Sequence, residues 1–402
     1  MFNPIDNLWV LVSAVLVFFM TFGLAIYEAG LVRSKNAMNS IMKNFVALTV
    51  MSIAFFGVGF GLAFGNDVYG IIGNPFTVDW YGLWHGTNLS TLTFFMFQLM
   101  FAAITLAIIS AGAVERMKFS VWLGYSVIYS TLLWSIPAHW VWGGGWLQQL
   151  GITDFAGGVV VHVAAGAAAL AAMLILKPVE RYRFYVSGSE RYVHDPKAIF
   201  LGGAILWLGW FGFNGGSALA LNGIAVLAVV NTNLAAAAGS VMAMLLFWGL
   251  EGFADLPMSV NGFLAGLVAV TPSAGFISPV SSIVIGIASG IIVYFGTKAV
   301  WKLKRIDDPI GVIPCHGFNG IFGTLAVGLF AERQFAGFNG LFFGGGVAQL
   351  LVQLIGIVSV ALLIFVSTFS ILKIFEKFAG GARVSPEEEG VGLDFSEHGR
   401  LP

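Results

Sequence analysis

The sequence is poor in charge. Asp, Glu, Lys and Arg make up 10% of its 402 residues, 58% are hydrophobic, and the mean hydropathy is +0.89. Soluble globular chains carry roughly 25% charged residues, so this composition implies an integral membrane protein. Cysteine is almost missing: Cys315 stands alone, which rules out an intrachain disulfide. No positive residue precedes the first apolar run, so no cleavable signal is indicated and an external amino terminus is. Basic tracts are lacking and the net charge is −1, which offers nothing to nucleic acid. Walker loops, zinc-ligand spacings and nucleophile motifs are also lacking, so no enzyme, cofactor or metal site is expected.

What the chain has in quantity is apolar segments long enough to cross a bilayer. Helices are predicted at about 8–30, 43–65, 92–113, 119–138, 154–176, 198–218, 224–250, 257–274, 279–301, 312–332 and 340–376. The expected fold is therefore an all-α polytopic membrane protein of eleven transmembrane helices, the last long enough to tilt. The 52 glycines fit close helix contact in lipid. Charge sets the orientation. Of 19 Lys and Arg residues, all but Arg333 fall on one set of loops, which places the amino terminus outside and the carboxyl terminus in the cytoplasm. Residues 1–378 then form a membrane domain and 379–402 a cytoplasmic tail, mobile about Gly380-Gly381 and the run Glu387 to Glu389.

Two histidines sit inside these apolar segments, where ionisable groups are costly and usually face a cavity. His162 lies roughly 12 Å below the outer face and His316 roughly 9 Å above the inner one, at 1.5 Å per residue. Both approach the middle of a core about 30 Å thick. Each ends a set of five helices, so the topology predicts an inverted repeat of 8–176 and 198–332, with 340–376 unpaired.

Asp154-Phe-Ala-Gly-Gly with His162, Trp142-Gly-Gly-Gly, Gly112-Ala-Val-Glu115-Arg116 and Trp210-Phe-Gly-Phe213-Asn-Gly-Gly-Ser217 resemble the Amt/Rh ammonium transporter family, on its Amt branch. So do Gly30-Leu-Val-Arg33-Ser-Lys35-Asn36, Thr271-Pro272, Asp307-Asp308-Pro309 ahead of His316, and Gly392-Leu-Asp394 near His398. The motifs follow family order along nearly the whole chain. The resemblance implies a homotrimer in the plasma membrane, each protomer with its own narrow pore. It assigns Phe101, Trp142 and Ser217 to an outer ammonium site and Phe101 and Phe213 to a stacked aromatic gate. His162 and His316 become a pore-lining proton relay, with Asp154 supporting the outer site. It also implies a PII-type cytoplasmic regulator. The rival reading is an ammonium-sensing membrane domain, which a reading frame continuing into a kinase or cyclase domain would select.

Plainer roles stand beside these. Asp154 can cap its helix, Trp142 and Trp146 can sit in an interfacial belt, and Ser217 can satisfy its own helix backbone. His85 and His139 are expected to be solvated, Glu28 to lie structurally next to Arg33, and Glu115 with Arg116 to form an ion pair. Three places depart from the family pattern: Gly311 stands where an acid is usual, Ala254-Asp255-Leu256-Pro257 lacks a basic residue, and the chain closes on Arg400-Leu401-Pro402. These bear on transport speed and on docking of the regulator.

Overall fold

Asn3 opens the first helix: its side-chain oxygen accepts from the backbone N–H groups of Ile5 and Asp6, and Pro4 takes the position where no N–H is needed. The computed structural model describes residues 1–179, 193–378 and 380–400; Arg181, Arg183 and Arg191, used above to assign sidedness, lie outside them. Among the described residues eleven apolar helices of fifteen residues or more follow one another: α1 Pro4–Leu31, α2 Ser34–Phe64, α3 Thr91–Ser110, α4 Phe119–Leu150, α5 Gly158–Leu176 and α6 Pro196–Gly216. Then come α7 Gly223–Glu251, α8 Leu256–Val270, α9 Pro279–Trp301, α10 Ile313–Phe330 and α11 Ala348–Phe378. Ten are long and apolar enough to cross a membrane. The remaining one, α8, rises about 22 Å at 1.5 Å per residue, and the tight turns at Thr271 and Ser273 prolong it. The fold is that of a multi-pass membrane protein, as its composition requires. Its rim helices turn Leu, Ile, Val and Phe outward, a surface suited to acyl chains.

Several predicted edges move, each for a local reason. α2 starts at Ser34, nine residues before the predicted 43, because Asp394 from the carboxyl-terminal segment accepts from the N–H groups of Met38 and Asn39 and caps it. α11 starts at Ala348 rather than 340, because Gly344 (φ +85°) and Gly346 (φ +73°) break the helical path. α4 continues past the predicted 138: it is helical to Trp142, breaks at Gly143–Gly145 and closes on the helical turn Trp146–Leu150. α5 begins at Gly158 rather than 154, leaving Asp154 outside the helix.

Helix contacts are made through glycine. α1 and α6 cross with Gly202 against the backbone of Tyr27: a Cβ there would stand 2.4 Å from the Tyr27 nitrogen. α5 and α10 cross at Gly166, where a Cβ would stand 2.6 Å from Cα of Gly317. Between α2 and α3 lies an antiparallel hairpin, β1 Asn66–Val68 with β2 Ile72–Asn74, in the register Asn66↔Asn74. The carboxyl-terminal segment is docked rather than swinging free. Lys118 N–H donates to Ala382 O, Val384 N–H to Arg116 O, and Arg383 reaches the carbonyls of Leu176 and Pro178.

Candidate functional site

The two histidines are built by one local device, used twice. Asp154 precedes His162 by eight residues, and Asp308 precedes His316 by eight; glycines follow at 157 and 311, and again at 166 and 320. Asp154 accepts from the N–H groups of Gly157, Gly158, Val159 and Val160, and Asp308 from those of Gly311, Val312 and Ile313. Each carboxylate thus gathers the unpaired donors of a helix start. The capped turns need a left-handed residue, supplied by Gly157 (φ +112°) and Gly311 (φ +85°). Each helix then opens as a π-turn, Gly158–Val163 and Ile313–Phe318, with the histidine in it. His162 N–H accordingly reaches back five residues to Gly157 O.

Because Gly166 lets α10 come close, the rings meet. His162 Nδ1 lies 3.1 Å from His316 Nδ1, with ring centroids 5.2 Å apart. One Nδ1 must donate and the other accept, so the neutral rings hold opposite tautomers. The outward nitrogen of one is then an N–H and that of the other a bare acceptor. Among the described residues His162 Nε2 has no hydrogen-bond partner. Both rings line a cavity whose walls include Met20, Leu24, Ile104, Ile108, Leu206 and Leu264.

Toward the Asp154 end, aromatic rings close the cavity. Phe101 and Phe213 stack with centroids 4.2 Å apart at 25°, and Phe213 lies 6.0 Å from His162. Trp142 meets Phe101 edge-on at 6.1 Å, and its Nε1–H donates to Asp154 O at 2.8 Å. Asp154 therefore orients Trp142 through its carbonyl while its carboxylate caps α5. Ser217, at the end of α6, donates its hydroxyl to Phe213 O at 2.8 Å, the plain role foreseen for it, and its oxygen keeps lone pairs for a donor from outside.

Sequence reasoning missed several participants. Trp210 stacks on His162 at 5.4 Å and 19°, and its Nε1–H donates to Thr271 Oγ1. It stood within a quoted motif, but no spacing rule aims a tryptophan at a histidine. At the other end of the cavity, Tyr27 Oη donates to Asn261 Oδ1, beside Gly311. Asp308 could have been found from the repeated Asp-to-His interval.

Other expectations are corrected. His139 is fully buried, its Nδ1 2.9 Å from Ala63 O and its Nε2 2.8 Å from Asp67 Oδ1. That contact holds the Asp67 carboxyl below its usual range. His85 is exposed as expected. Glu115 and Arg116 do not pair with each other. Glu115, at φ +65°, turns to Arg33, and Arg116 reaches Asp307 at 2.8 Å. Glu28 is buried and accepts from Ser40, Asn44 and Ser110 rather than lying against Arg33. Trp146 is anchored through its backbone to Gly70 O and packs against Trp140.

Residues 8–401 match the model of the Ammonium Transporter Family. The chain is 42% identical over 395 residues to the ammonium transporter Amt1 of Archaeoglobus fulgidus, covering 97% of each. It is 39% identical over 406 residues to an ammonium transporter of Bacillus subtilis, covering 98% of this chain and 97% of that one. Among solved structures it resembles a sensor Amt protein, with a TM-score of 0.91, 34% identity and 98% of each chain covered. It also resembles Mep2 of Candida albicans, with a TM-score of 0.86, 31% identity, and 96% and 88% coverage. Capped helices that bring two histidines together under stacked rings thus occur in a chain that, by motif order and by similarity over nearly its whole length, belongs to the ammonium transporter family.

Proposed function

We propose that this protein carries ammonium across the plasma membrane by taking a proton from it at the mouth and passing ammonia between the histidines. The observation that carries the reading is the vertical order of Trp142 and Phe101, the Phe101–Phe213 stack, and the 3.1 Å His162–His316 contact below it. In this reading the Asp154 end faces outward, the amino terminus lies outside, and 379–402 is a cytoplasmic tail. The protomers form a homotrimer, and a PII-type protein regulates the inner face.

The physical sequence is as follows. Aromatic faces at Trp142 and Phe101 attract a small cation, worth about 0.5–2 kcal/mol per contact, and the Ser217 oxygen accepts from it. An apolar bore opposes a bare cation, since stripping its water costs many kcal/mol unless that is compensated. Ammonia escapes most of that cost but needs hydrogen-bond partners. The opposite tautomers of the histidines give it one donor and one acceptor. When a proton enters at the bare Nε2 of one ring, the shared Nδ1 proton crosses to the other ring, whose Nε2–H leaves, so the tautomers exchange and both rings stay neutral. Potassium enjoys the aromatic mouth equally but has no proton to give up. His162→Glu should therefore admit potassium, read as a potassium-evoked current in proteoliposomes; unchanged discrimination would sink the mechanism.

The sensing alternative is favoured by one specific finding, the TM-score of 0.91 to a sensor Amt protein. Recording from purified protein separates the two. A saturable ammonium-evoked current supports transport, and ammonium binding without current supports sensing.

A further inference from the structure

Helix α11 contributes none of the described residues that line the cavity, yet one of its side chains is tied to the segment bearing the outer site. The carboxamide of Gln353 is fully buried. Its Nε2 donates to Thr153 O at 2.7 Å and Thr324 O at 3.1 Å; its Oε1 accepts from Thr153 N–H at 2.9 Å and Gln349 Nε2 at 3.1 Å. Two donors and two lone pairs are all used. Thr153 belongs to no helix or strand, and its half-buried N–H and C=O both pair with this amide. The next residue is Asp154, whose carbonyl holds the Trp142 indole. Gln349 adds a bond to Gly151 O, and Gly356 leaves the space that Ile152 fills. These three α11 residues fall near positions i, i+4 and i+7, one face of a helix.

We propose that Gln353 is a positioning residue for ammonium recruitment, fixing the Thr153–Asp154 backbone that orients Trp142. This rests on the reading of Trp142 as part of the outer site. A residue that merely fastened α11 to the bundle would change stability alone, since buried side-chain hydrogen bonds in membranes typically strengthen helix association. A positioning residue must change recognition as well.

The test uses the full chain in proteoliposomes, with ammonium-evoked current measured against concentration. Gln353→Met should raise KM by roughly three- to tenfold, the range of one or two lost hydrogen bonds, while maximal flux per folded protein changes by less than about twofold. Combined with Trp142→Leu, it should add little to the KM of Trp142→Leu alone, because both act through one group. An unchanged KM in Gln353→Met, or fully multiplicative effects in the double variant, overturns the proposal. If Trp142→Leu by itself leaves KM unchanged, the outer-site reading fails first and the proposal with it. Should Gln353→Met not reach the membrane, Gln349→Met carries the test: a raised KM supports positioning, and an unchanged one overturns it.

Discussion

Asp154 and Asp308 show how much one side chain fixes here. Each gathers three or four backbone donors that a helix start leaves open, and each sets the turn from which a histidine projects. Asp308→Ala removes that acceptor and should cost about 1–2 kcal/mol, read as a lower Tm in detergent, with Asp308→Asn falling between. The pH dependence has a definite sign. Burial raises the Asp308 carboxyl from its ordinary 3.8 to about 6, against the backbone N–H groups, which lower it. The folded state therefore binds this proton more tightly than the unfolded chain does. The resulting contribution to stability is complete below about pH 3.8 and is lost as pH rises through 6. Lowering pH from 7 to 5 should raise the Tm of the natural protein relative to Asp308→Asn. A constant difference between the two melting curves would contradict the assignment.

At the scale of the element, the crossing of α5 and α10 is set by absent side chains. Gly166 stands where a Cβ would be 2.6 Å from Cα of Gly317, and Gly320 where one would be 3.0 Å from His162 Cβ. Gly166→Val should push the helices apart, break the Nδ1–Nδ1 contact and abolish uptake, measured with labelled methylammonium in vesicles. Overpacking of this kind typically costs about 1–3 kcal/mol of stability. Gly57, with open space around it, is the control: Gly57→Ala should change stability by less than about 0.5 kcal/mol and leave uptake intact. Gly311 is explained at this scale too. With φ at +85°, it occupies a left-handed position in the capped turn, so a side chain there carries backbone strain.

Across the whole molecule, the carboxyl-terminal segment joins parts that sequence keeps far apart. Asp394 caps α2, Leu393 N–H donates to Asn36 Oδ1, Arg383 ties to the end of α5 and to Glu389, and His398 sits between Asn39 and Phe119. Composition alone predicts a mobile tail, because Gly380-Gly381 and three successive glutamates look like solvated chain. The structure instead turns Pro386–Val391 into a capped helix that starts at Ser385. Asp394→Ala should release it: hydrogen exchange across 382–398 should quicken, and α2 should lose about 1 kcal/mol at its amino end. Exchange no faster than in the natural protein would mean that the other contacts suffice.

Membrane residence and the number of helices follow from the sequence by itself, because a bilayer core accepts long apolar helices and little else. The histidines, the aspartate before the first of them and the aromatic motif were legible as residue types in an order. Tertiary structure decided which of them touch. The stack of Phe101 on Phe213, the turn of Trp210 onto His162, the reach of Gln353 and the separate partners of Glu115 and Arg116 all join residues from segments distant in the chain. Periodicity and spacing describe one helix at a time. Contacts between helices depend on crossings that small residues permit, and those exist only once the bundle has formed.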